Sequence, residues 1–478
     1  MKNAKRLFSL LIILGLAVHF SGHVPGIAGQ SAAATFDVKA LDIYVAEQLK
    51  TKGLVGLSLA VMKDGQVLLA KGYGISSLPG KQPVTEDTLF AVGSITKQFT
   101  SACVLMLAED GKLTVNDKVA KYYPNLTRAN DITLLDLMNH VSGYPDYYPL
   151  DFVDRRMQKP IAVDEVIRQY GTTKLDFEPG TKWSYSNTGF LILGRVVEKV
   201  SSESFGQFLS RRILKPVGMN HTAYEPDPKA GGLARGHSSF ALSPPEAAVP
   251  EEKGWIAAAG ALYSTPTDLA KWDLALIEER VLKADTYKLM TTSRKLADGR
   301  LAGYGCGLSV AERNGVTVLS HNGAVAGFYA LNTMVPSSKS AAILLSNFDE
   351  YNEVGTIYSK VVRSLWPSAA ANPDLPKIAG LPAPEAAKAF FLRLQAGTVD
   401  RSELGDEFSY FLTDAKIRGA SERLKPFGDP TGAEVESSHE RGGMEVTSIR
   451  LSFKSGILKI SMYRTPDGKI QQYFVQKD

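Results

Sequence analysis

The stretch Phe90-Ala91-Val92-Gly93-Ser94-Ile95-Thr96-Lys97 decides how the rest of the chain is interpreted. After it, apolar residues recur at helical spacing until Gly111 ends the run. We therefore predict that Ser94 lies at the start of a helix that is buried along one side. Because positions i and i+3 share a helix face, the Lys97 amine can reach the Ser94 hydroxyl.

This pairing suits nucleophilic catalysis. A serine hydroxyl is a weak nucleophile until a neighbour takes its proton, and a lysine whose charged form is disfavoured by burial can do so. A helix start also offers free backbone N–H groups to the group under attack. The alternative is an ordinary capping serine, because a lone Ser-x-x-Lys pair arises by chance about once or twice in a chain of this length.

A second polar stretch, Tyr185-Ser186-Asn187, follows the turn at Pro179-Gly180 and precedes a helical run of apolar residues. We predict a loop that presents polar side chains just before a helix. The alternative for Asn187 is a plain helix cap, and the alternative for Tyr185 is packing beneath the loop.

A third stretch, His321-Asn322-Gly323-Ala324-Val325-Ala326-Gly327, stands between two predicted strands. Another histidine, His140, ends a short predicted helix just before Gly143. It is a candidate general base, but we favour a structural role in which its ring bonds the last helix carbonyls.

The pattern of elements predicts an α/β (α+β) fold. Near the start, a helix precedes the strands Val55–Lys63 and Gln66–Tyr73, which Asp64-Gly65 joins as a hairpin. Four later strands and a final helix, Val354–Trp366, close this region. The predicted later strands are Gly303–Val310, Val316–Ser320, Phe328–Val335 and Ser340–Leu345. An antiparallel sheet flanked by helices, with an all-helical insertion, fits this order.

Composition divides the chain into four parts. Residues 1–34 combine early basic residues, a short apolar run and the cleavage site Ala32-Ala33-Ala34, which predicts a signal peptide. Residues 35–367 are predicted to form one large domain that contains all three polar stretches, and the Pro- and Ala-rich residues 368–383 a linker. Residues 384–478 are predicted to form a small C-terminal α+β domain of unknown role.

Charge and cysteine content exclude several classes of function. The chain has 478 residues with 44% hydrophobic and 22% charged content, as in soluble globular proteins. Without residues 1–34, 51 basic residues face 50 acids, a net charge of +1 that gives no reason to expect a nucleic-acid partner. The seven histidines show no metal-ligand spacing, so no metal and no cofactor are predicted. Cys103 and Cys306 are predicted to be buried thiols, with one disulfide as the alternative.

Taken in order, Ser94-x-x-Lys97, Tyr185-x-Asn187 and His321-x-Gly323 resemble the three motifs of the serine β-lactamase and DD-peptidase superfamily. The second motif begins with a tyrosine, and in this it resembles the class C-like branch of the superfamily. That branch includes DD-carboxypeptidases, D-aminopeptidases and esterases. The resemblance covers roughly residues 36–368 and implies a β-lactamase/transpeptidase-like fold.

The resemblance also implies roles for the motif residues. Ser94 would be acylated, with Lys97 and Tyr185 moving protons, and which of these two is the base stays open. Asn187 would bond Lys97 and the substrate amide. The backbone N–H groups of Ser94 and Ala324 would form the oxyanion hole. The remaining predicted substrate-binding residues are His321, Asn322 and Gly323.

These features predict an exported serine hydrolase that acts on D-alanyl peptide, amide or ester substrates, with peptidoglycan stem peptides as one candidate. The alternatives are a promiscuous carboxylesterase and a penicillin-binding sensor that acylates and stalls. His-Asn-Gly replaces the Lys-Thr-Gly of the β-lactamase pattern, so efficient β-lactam hydrolysis is not expected. A periplasmic or secreted monomer without a transmembrane anchor is predicted.

Overall fold

The computed structural model describes residues 37–313, 315–366, 376–441 and 443–477. The predicted signal peptide and the first half of the predicted linker, residues 368–375, lie outside these residues. The helices are α1 (Val38–Thr51), α2 (Thr96–Glu109), α3 (Leu134–Met138), α4 (Val163–Gly171), α5 (Asn187–Ser201), α6 (Phe205–Leu209), α7 (Lys215–Val217), α8 (Ala257–Gly260), α9 (Pro266–Ile277), α10 (Ala284–Met290), α11 (Tyr351–Leu365), α12 (Ala383–Ala396), α13 (Asp406–Phe411) and α14 (Asp414–Leu424).

The strands form one large sheet and three smaller ones. They are β1 (Gly56–Lys63), β2 (Gln66–Gly74), β3 (Phe90–Ala91), β4 (Ala223–Tyr224), β5 (His237–Ser238), β6 (Glu246–Ala247), β7 (Leu262–Ser264), β8 (Ser309–Arg313), β9 (Val316–Val325), β10 (Phe328–Val335), β11 (Ser340–Ser346), β12 (Gly432–Arg441), β13 (Met444–Phe453), β14 (Gly456–Arg464) and β15 (Ile470–Lys477).

The large sheet is antiparallel throughout and joins strands from near both ends of the predicted large domain, residues 35–367. Its strand order is β2-β1-β11-β10-β9-β8, so a strand near the start of the chain pairs with one near residue 340. In this pairing Leu59 lies opposite Leu344. The predicted Asp64-Gly65 hairpin is confirmed, since Lys63 pairs with Gln66 across it. The predicted antiparallel sheet between helices is likewise confirmed.

Helices cover both faces of this sheet. Every residue of β11 is buried, which requires packing above and below the strand. The helices α1 and α11 pack on each other and on the sheet, while α9 packs on β1, β2 and β11. Helix α2 is buried from Thr96 to Leu107 and contacts α5 and α8, so the chain after Ser94 runs through the centre of the helical layer. None of the helices in the described ranges is long and apolar enough to cross a bilayer.

The insertion between β2 and β8 was predicted to be all-helical, but its helices α2 to α10 are separated by loops and it also contains the short strands β3 to β7. Strands β3, β7 and β4 form a three-stranded sheet, and β5 and β6 form a pair. Strands of two or three residues carry too little alternation to be recognised in a sequence. The sheet matters for the site because Phe90 pairs with Ser264 and fixes the chain just before Ser94.

Two strand predictions near the third motif were wrong. The predicted strand Gly303–Val310 is largely a loop, and β8 begins only at Ser309. The loop amide of Cys306 bonds the carbonyl of Met290, and the carbonyl of Tyr304 accepts from Arg294, so the loop is tied to the end of α10 and not to the sheet. The predicted strand Val316–Ser320 continues through the third motif, because residues up to Val325 keep pairing with β10.

The C-terminal residues form a second hydrophobic core against a four-stranded sheet, β12 to β15. Helices α12 and α13 pack on this sheet and α14 packs on α12. The sequence had not suggested α13 or α14. Four residues from earlier in the chain, Leu150, Phe152, Phe240 and Ala241, belong to the same core. The described residues from Val38 onward form one compact unit.

The two cysteines are free and buried, as predicted. A more unusual buried group is Asp273 on α9, which is inaccessible to solvent. Its Oδ2 accepts a hydrogen bond of 2.8 Å from Asn332 Nδ2. Burial raises the pKa of Asp273 to about 8, although the bond from Asn332 acts in the opposite direction. The folded chain therefore keeps this carboxyl protonated where the unfolded chain ionises it.

We expect Asp273→Asn to raise the melting temperature at pH 8 much more than at pH 4. Because the pKa is higher in the folded chain, the wild type loses stability as pH rises from about 4 to 8, by on the order of 5 kcal/mol. An amide has no proton to lose, so the variant lacks this decline. Thermal melts at both pH values test it, with exposed Asp285→Asn as control. Equal shifts at both pH values would contradict the assignment.

Candidate active site

Ser94 lies in a short 3₁₀ turn, Gly93–Ile95, that leads directly into α2. No side-chain cap hydrogen bond is present at the start of this turn or of α2. The Ser94 hydroxyl is instead paired with Lys97 Nζ at 3.0 Å. The geometry therefore does not support the alternative of an ordinary capping serine.

Lys97 is completely buried and has two further partners. Its Nζ donates to Asn187 Oδ1 and to the carbonyl of Ala259, each at 2.7 Å. Burial is the main cause that lowers the pKa of Lys97 well below its ordinary value; Asp146 raises it and Arg441 lowers it further. A neutral amine has only two N–H groups, and these two acceptors use both. Its lone pair is then left for the Ser94 O–H, which is the arrangement a general base needs.

Asn187 is held in place by Asp146, a residue that the sequence had not singled out. Asn187 Nδ2 donates to Asp146 Oδ1 at 3.0 Å, and the Asn187 backbone N–H donates to the same oxygen at 3.1 Å. The amide is thus oriented with its oxygen toward Lys97. The side chain of Asn187 makes no cap bond at the start of α5, so it serves the site and not the helix end.

Tyr185 places a buried phenol beside the same amine. Lys97 Nζ lies 4.8 Å from the centre of the Tyr185 ring. The Tyr185 hydroxyl has no hydrogen-bond partner among the described residues, although Ser94 is near enough to influence its pKa. Burial raises the pKa of Tyr185 above its ordinary value, against smaller lowering effects of Ser94 and Arg441. A neutral phenol is a proton donor, so the geometry favours Lys97 as the base, a choice that the sequence left open.

His140 supports Tyr185 from behind. Its ring lies 4.3 Å from the Tyr185 ring, and its Nδ1 accepts the Ser186 backbone N–H at 3.1 Å. Burial, followed by the charge of Lys97, lowers the pKa of His140 well below its ordinary value. The structural role is as favoured from the sequence, but the partner is a loop amide and not a helix carbonyl. His140 has a positive φ of 58°, which turns the chain away from α3.

His321, the first residue of the third motif, is buried and neutral. Its Nε2 pairs with the Tyr304 hydroxyl at 2.7 Å, and its Nδ1 lies against the carbonyl of Asn322. Burial, with the nearby charge of Lys97, lowers the pKa of His321 to about 3. The imidazole lies 6.2 Å from the Tyr185 ring, so the second and third motifs meet. The next residue, Asn322, points to the other side of the strand and is exposed.

Gly323 and Ala324 lie on an unpaired edge of strand β9, close to Ser94. Strand β8 pairs only with residues 316–320 of β9, so the edge beyond them is unpaired on that side. A Cβ on Gly323 would lie 2.0 Å from the carbonyl oxygen of Val92 and 2.8 Å from the backbone nitrogen of Ser94. Only glycine allows this approach. The backbone nitrogens of Ser94 and Ala324 thus border one small space, as an oxyanion hole requires.

A cavity of about 20 Å³ lies over the serine. This space holds about one water molecule. Arg441, at the end of strand β12 in the C-terminal sheet, closes part of the cavity. The lining residues are Ser94, Tyr148, Leu150, Asp151, Asn187, Ile256, Ala259, Gly260, Ala324, Val325, Tyr351 and Arg441. In the described ranges no three acidic, histidine or cysteine side chains are grouped as metal ligands would be.

The structure brings together Ser94, Lys97, Tyr185, Asn187 and the His321–Ala324 strand, and leaves only the Asn322 side chain outside the group. A serine with a buried basic partner and two main-chain donors defines a hydrolase of the serine acyl-enzyme type. The chain belongs to the Beta-lactamase family, whose sequence model matches residues 41–363.

Individual relatives agree with this family. A D-aminopeptidase of Brucella anthropi is 28% identical over 318 residues, which cover 66% of this chain and 60% of that enzyme. A penicillin-binding protein of Bacillus subtilis (strain 168) is 27% identical over 326 residues, covering 64% of this chain and 71% of the relative. The octameric penicillin-binding protein homologue from Pyrococcus abyssi shares the fold, with 23% identity and a TM-score of 0.62 over 91% of this chain and 95% of that one.

Proposed function

We propose that the chain is an exported hydrolase that forms an acyl-enzyme with D-alanyl peptides or with related D-amino acid amides and esters. The observation that carries this proposal is the position of the buried Lys97 amine. Its Nζ lies 3.0 Å from Ser94 Oγ, and its other two partners, Asn187 and Ala259, leave the lone pair of the neutral amine for the Ser94 proton. The D-aminopeptidase among the relatives supports the D-configured substrate class.

In the proposed reaction, Ser94 Oγ attacks the substrate carbonyl carbon while its proton passes to Lys97 Nζ. The negative charge on the carbonyl oxygen is received by the backbone N–H groups of Ser94 and Ala324. The bond to the leaving nitrogen or oxygen then breaks. Tyr185 gives that atom its proton and regains one from the Lys97 ammonium, so the proton count balances. Water releases the acyl group by the reverse route.

Export is proposed from the sequence of residues 1–34. Lys2, Lys5 and Arg6 precede an apolar run and a small-residue cleavage site, the order found in secretory signal peptides. A periplasmic or secreted location would place the enzyme beside peptidoglycan stem peptides. Fractionation of expressing cells, followed by N-terminal sequencing of the mature chain, tests this part of the proposal.

The enzymatic part is tested by intact-mass spectrometry after exposure to benzylpenicillin and to p-nitrophenyl acetate. We expect one acyl group per chain, mapped to Ser94, and faster turnover of D-alanyl-D-alanine peptides than of their L-configured counterparts. Equal turnover of simple esters with no peptide hydrolysis would replace the proposal by a carboxylesterase. A penicillin adduct that persists for hours without peptide turnover would replace it by a sensor. No adduct with any reagent would overturn the acyl-enzyme itself.

A further inference from the structure

We propose that Arg441, carried into the active site by the C-terminal sheet, binds the terminal carboxylate of a peptide substrate and selects peptide acids over amides and esters. This inference rests on the proposed function and makes its substrate class narrower. It assigns the C-terminal residues a part in substrate recognition, which neither their composition nor their sequence pattern had indicated.

Arg441 shares one cavity with the reacting groups. It is the last residue of β12, more than 340 positions after Ser94 in the chain, yet both line the space over the serine hydroxyl. Its charge acts on both proton-transfer groups, since it lowers the pKa of Lys97 and that of Tyr185. The guanidinium is therefore within electrostatic reach of the bond that is broken.

The other basic groups near the serine do not offer a positive charge to a substrate. Lys97 is buried behind Asn187 with a lowered pKa, and His321 is neutral and paired with Tyr304. Among the residues that line the cavity in the described part of the chain, Arg441 is the one cationic side chain. A carboxylate that enters this space has Arg441 as its natural partner.

Arg441 is also held in a fixed orientation. Its Nη1 donates to Asp151 Oδ1 at 2.6 Å, and Asp151 accepts further bonds from the Tyr463 hydroxyl and from Gln472 Nε2 at 3.1 Å. Three protein donors thus hold the Asp151 carboxylate in place. Arg441 Nε and Nη2 make no hydrogen bond to the described residues, and 23% of the side chain is exposed. Two donors of the planar fork are left for a carboxylate.

The third motif does not place the side chain of its middle residue where it could bind the substrate carboxylate. Asn322, at the position where the β-lactamase pattern has a threonine, is exposed on the other side of β9 and does not line the cavity. The neighbouring Glu440 accepts a hydrogen bond of 3.0 Å from Ser184 Oγ, one residue before Tyr185. The end of β12 thus spans the site from the tyrosine loop to the serine. Because the cavity is smaller than a dipeptide, substrate entry must displace part of this contact.

The experiment compares two peptides that differ only in the terminal group, N-acetyl-D-alanyl-D-alanine and its C-terminal carboxamide. For Arg441→Ala we expect kcat/KM to fall about 50-fold with the acid and less than about threefold with the amide. Arg441→Lys retains the charge but loses the fork, so about a tenfold loss on the acid is expected. Arg450→Ala, which removes a charge from the same sheet beside Glu436, is the matched control and should leave both values unchanged.

A measurement on the wild type does not depend on how the variants fold. N-acetyl-D-alanine and its amide are compared as inhibitors of p-nitrophenyl acetate hydrolysis, and the acid should bind at least about tenfold more tightly. Equal inhibition, or equal losses on acid and amide in Arg441→Ala, would overturn the role of Arg441 while acylation of Ser94 persists. If no acyl group attaches to the wild-type enzyme, the proposed function itself would be overturned. The two failures are therefore distinguishable.

Discussion

Ser94→Ala is expected to lower kcat/KM for the best peptide or ester substrate by about 10⁵-fold. The hydroxyl is the atom that attacks the carbonyl, and alanine leaves the amine of Lys97 with nothing to deprotonate. The two groups that hold the amine, the Asn187 side chain and the Ala259 backbone carbonyl, keep their bonds in the variant. The fold should therefore survive and the loss should be purely chemical. Steady-state kinetics and the absence of a covalent adduct are the readouts.

Ser101→Ala is the matched control for this experiment. Ser101 lies on α2, the helix that follows Ser94, and is fully buried, but its hydroxyl has no hydrogen-bond partner among the described residues. Its removal should change kcat/KM less than about twofold. If Ser94→Ala retained an activity similar to that of Ser101→Ala, another nucleophile would have to be sought.

The second large effect is expected for Lys97→Met, which should lower kcat/KM by about 10³-fold. Methionine fills a similar volume but cannot take the proton of Ser94. The variant also leaves Asn187 Oδ1 and the Ala259 carbonyl without their donor, so stability should fall as well. Circular dichroism melts separate that loss from the kinetic one. Lys112→Met, an exposed lysine just after α2, is the control and should retain full activity.

The pH profile gives this prediction a second readout. Because burial lowers the pKa of Lys97, the amine is neutral above that lowered pKa and becomes an ammonium as pH falls through it. Wild-type kcat/KM should therefore be high at alkaline pH and decline on the acid side. Lys97→Met should lose this acid limb together with most of its activity. Retention of the same limb in the variant would assign the titration to another group.

Much of the site could be predicted from the sequence because its chemistry is local. The spacing of Ser94 and Lys97 follows from the helical repeat, and Asn187 precedes a clearly apolar helix. The third motif was placed correctly beside the sheet but was mistaken for a connection, since His321-Asn322-Gly323 contains no run of β-branched residues. Only the pairing of residues 321–325 with β10 shows that it is a strand.

The residues that were missed act through tertiary packing. Asp146 stands in a loop of tyrosines and prolines, and its role depends on contact with Asn187, 41 positions away. Arg441 meets Asp151 across 290 positions. Neither residue is part of a spacing pattern, because each contact joins a loop residue to an element far away in the chain. The short strands β3 and β7 were missed for a related reason, since their pairing is supplied by the surrounding fold.

The buried carboxylate of Asp151 has a practical consequence for protein engineering. Its three side-chain donors, Arg441, Tyr463 and Gln472, all come from the last 40 residues of the chain. A truncated enzyme that ends before β12 would leave this acid unpaired beside the apolar side chain of Phe152, a combination that disfavours folding. Domain exchange between relatives should therefore transfer residues 146–152 together with the C-terminal sheet, as one cassette.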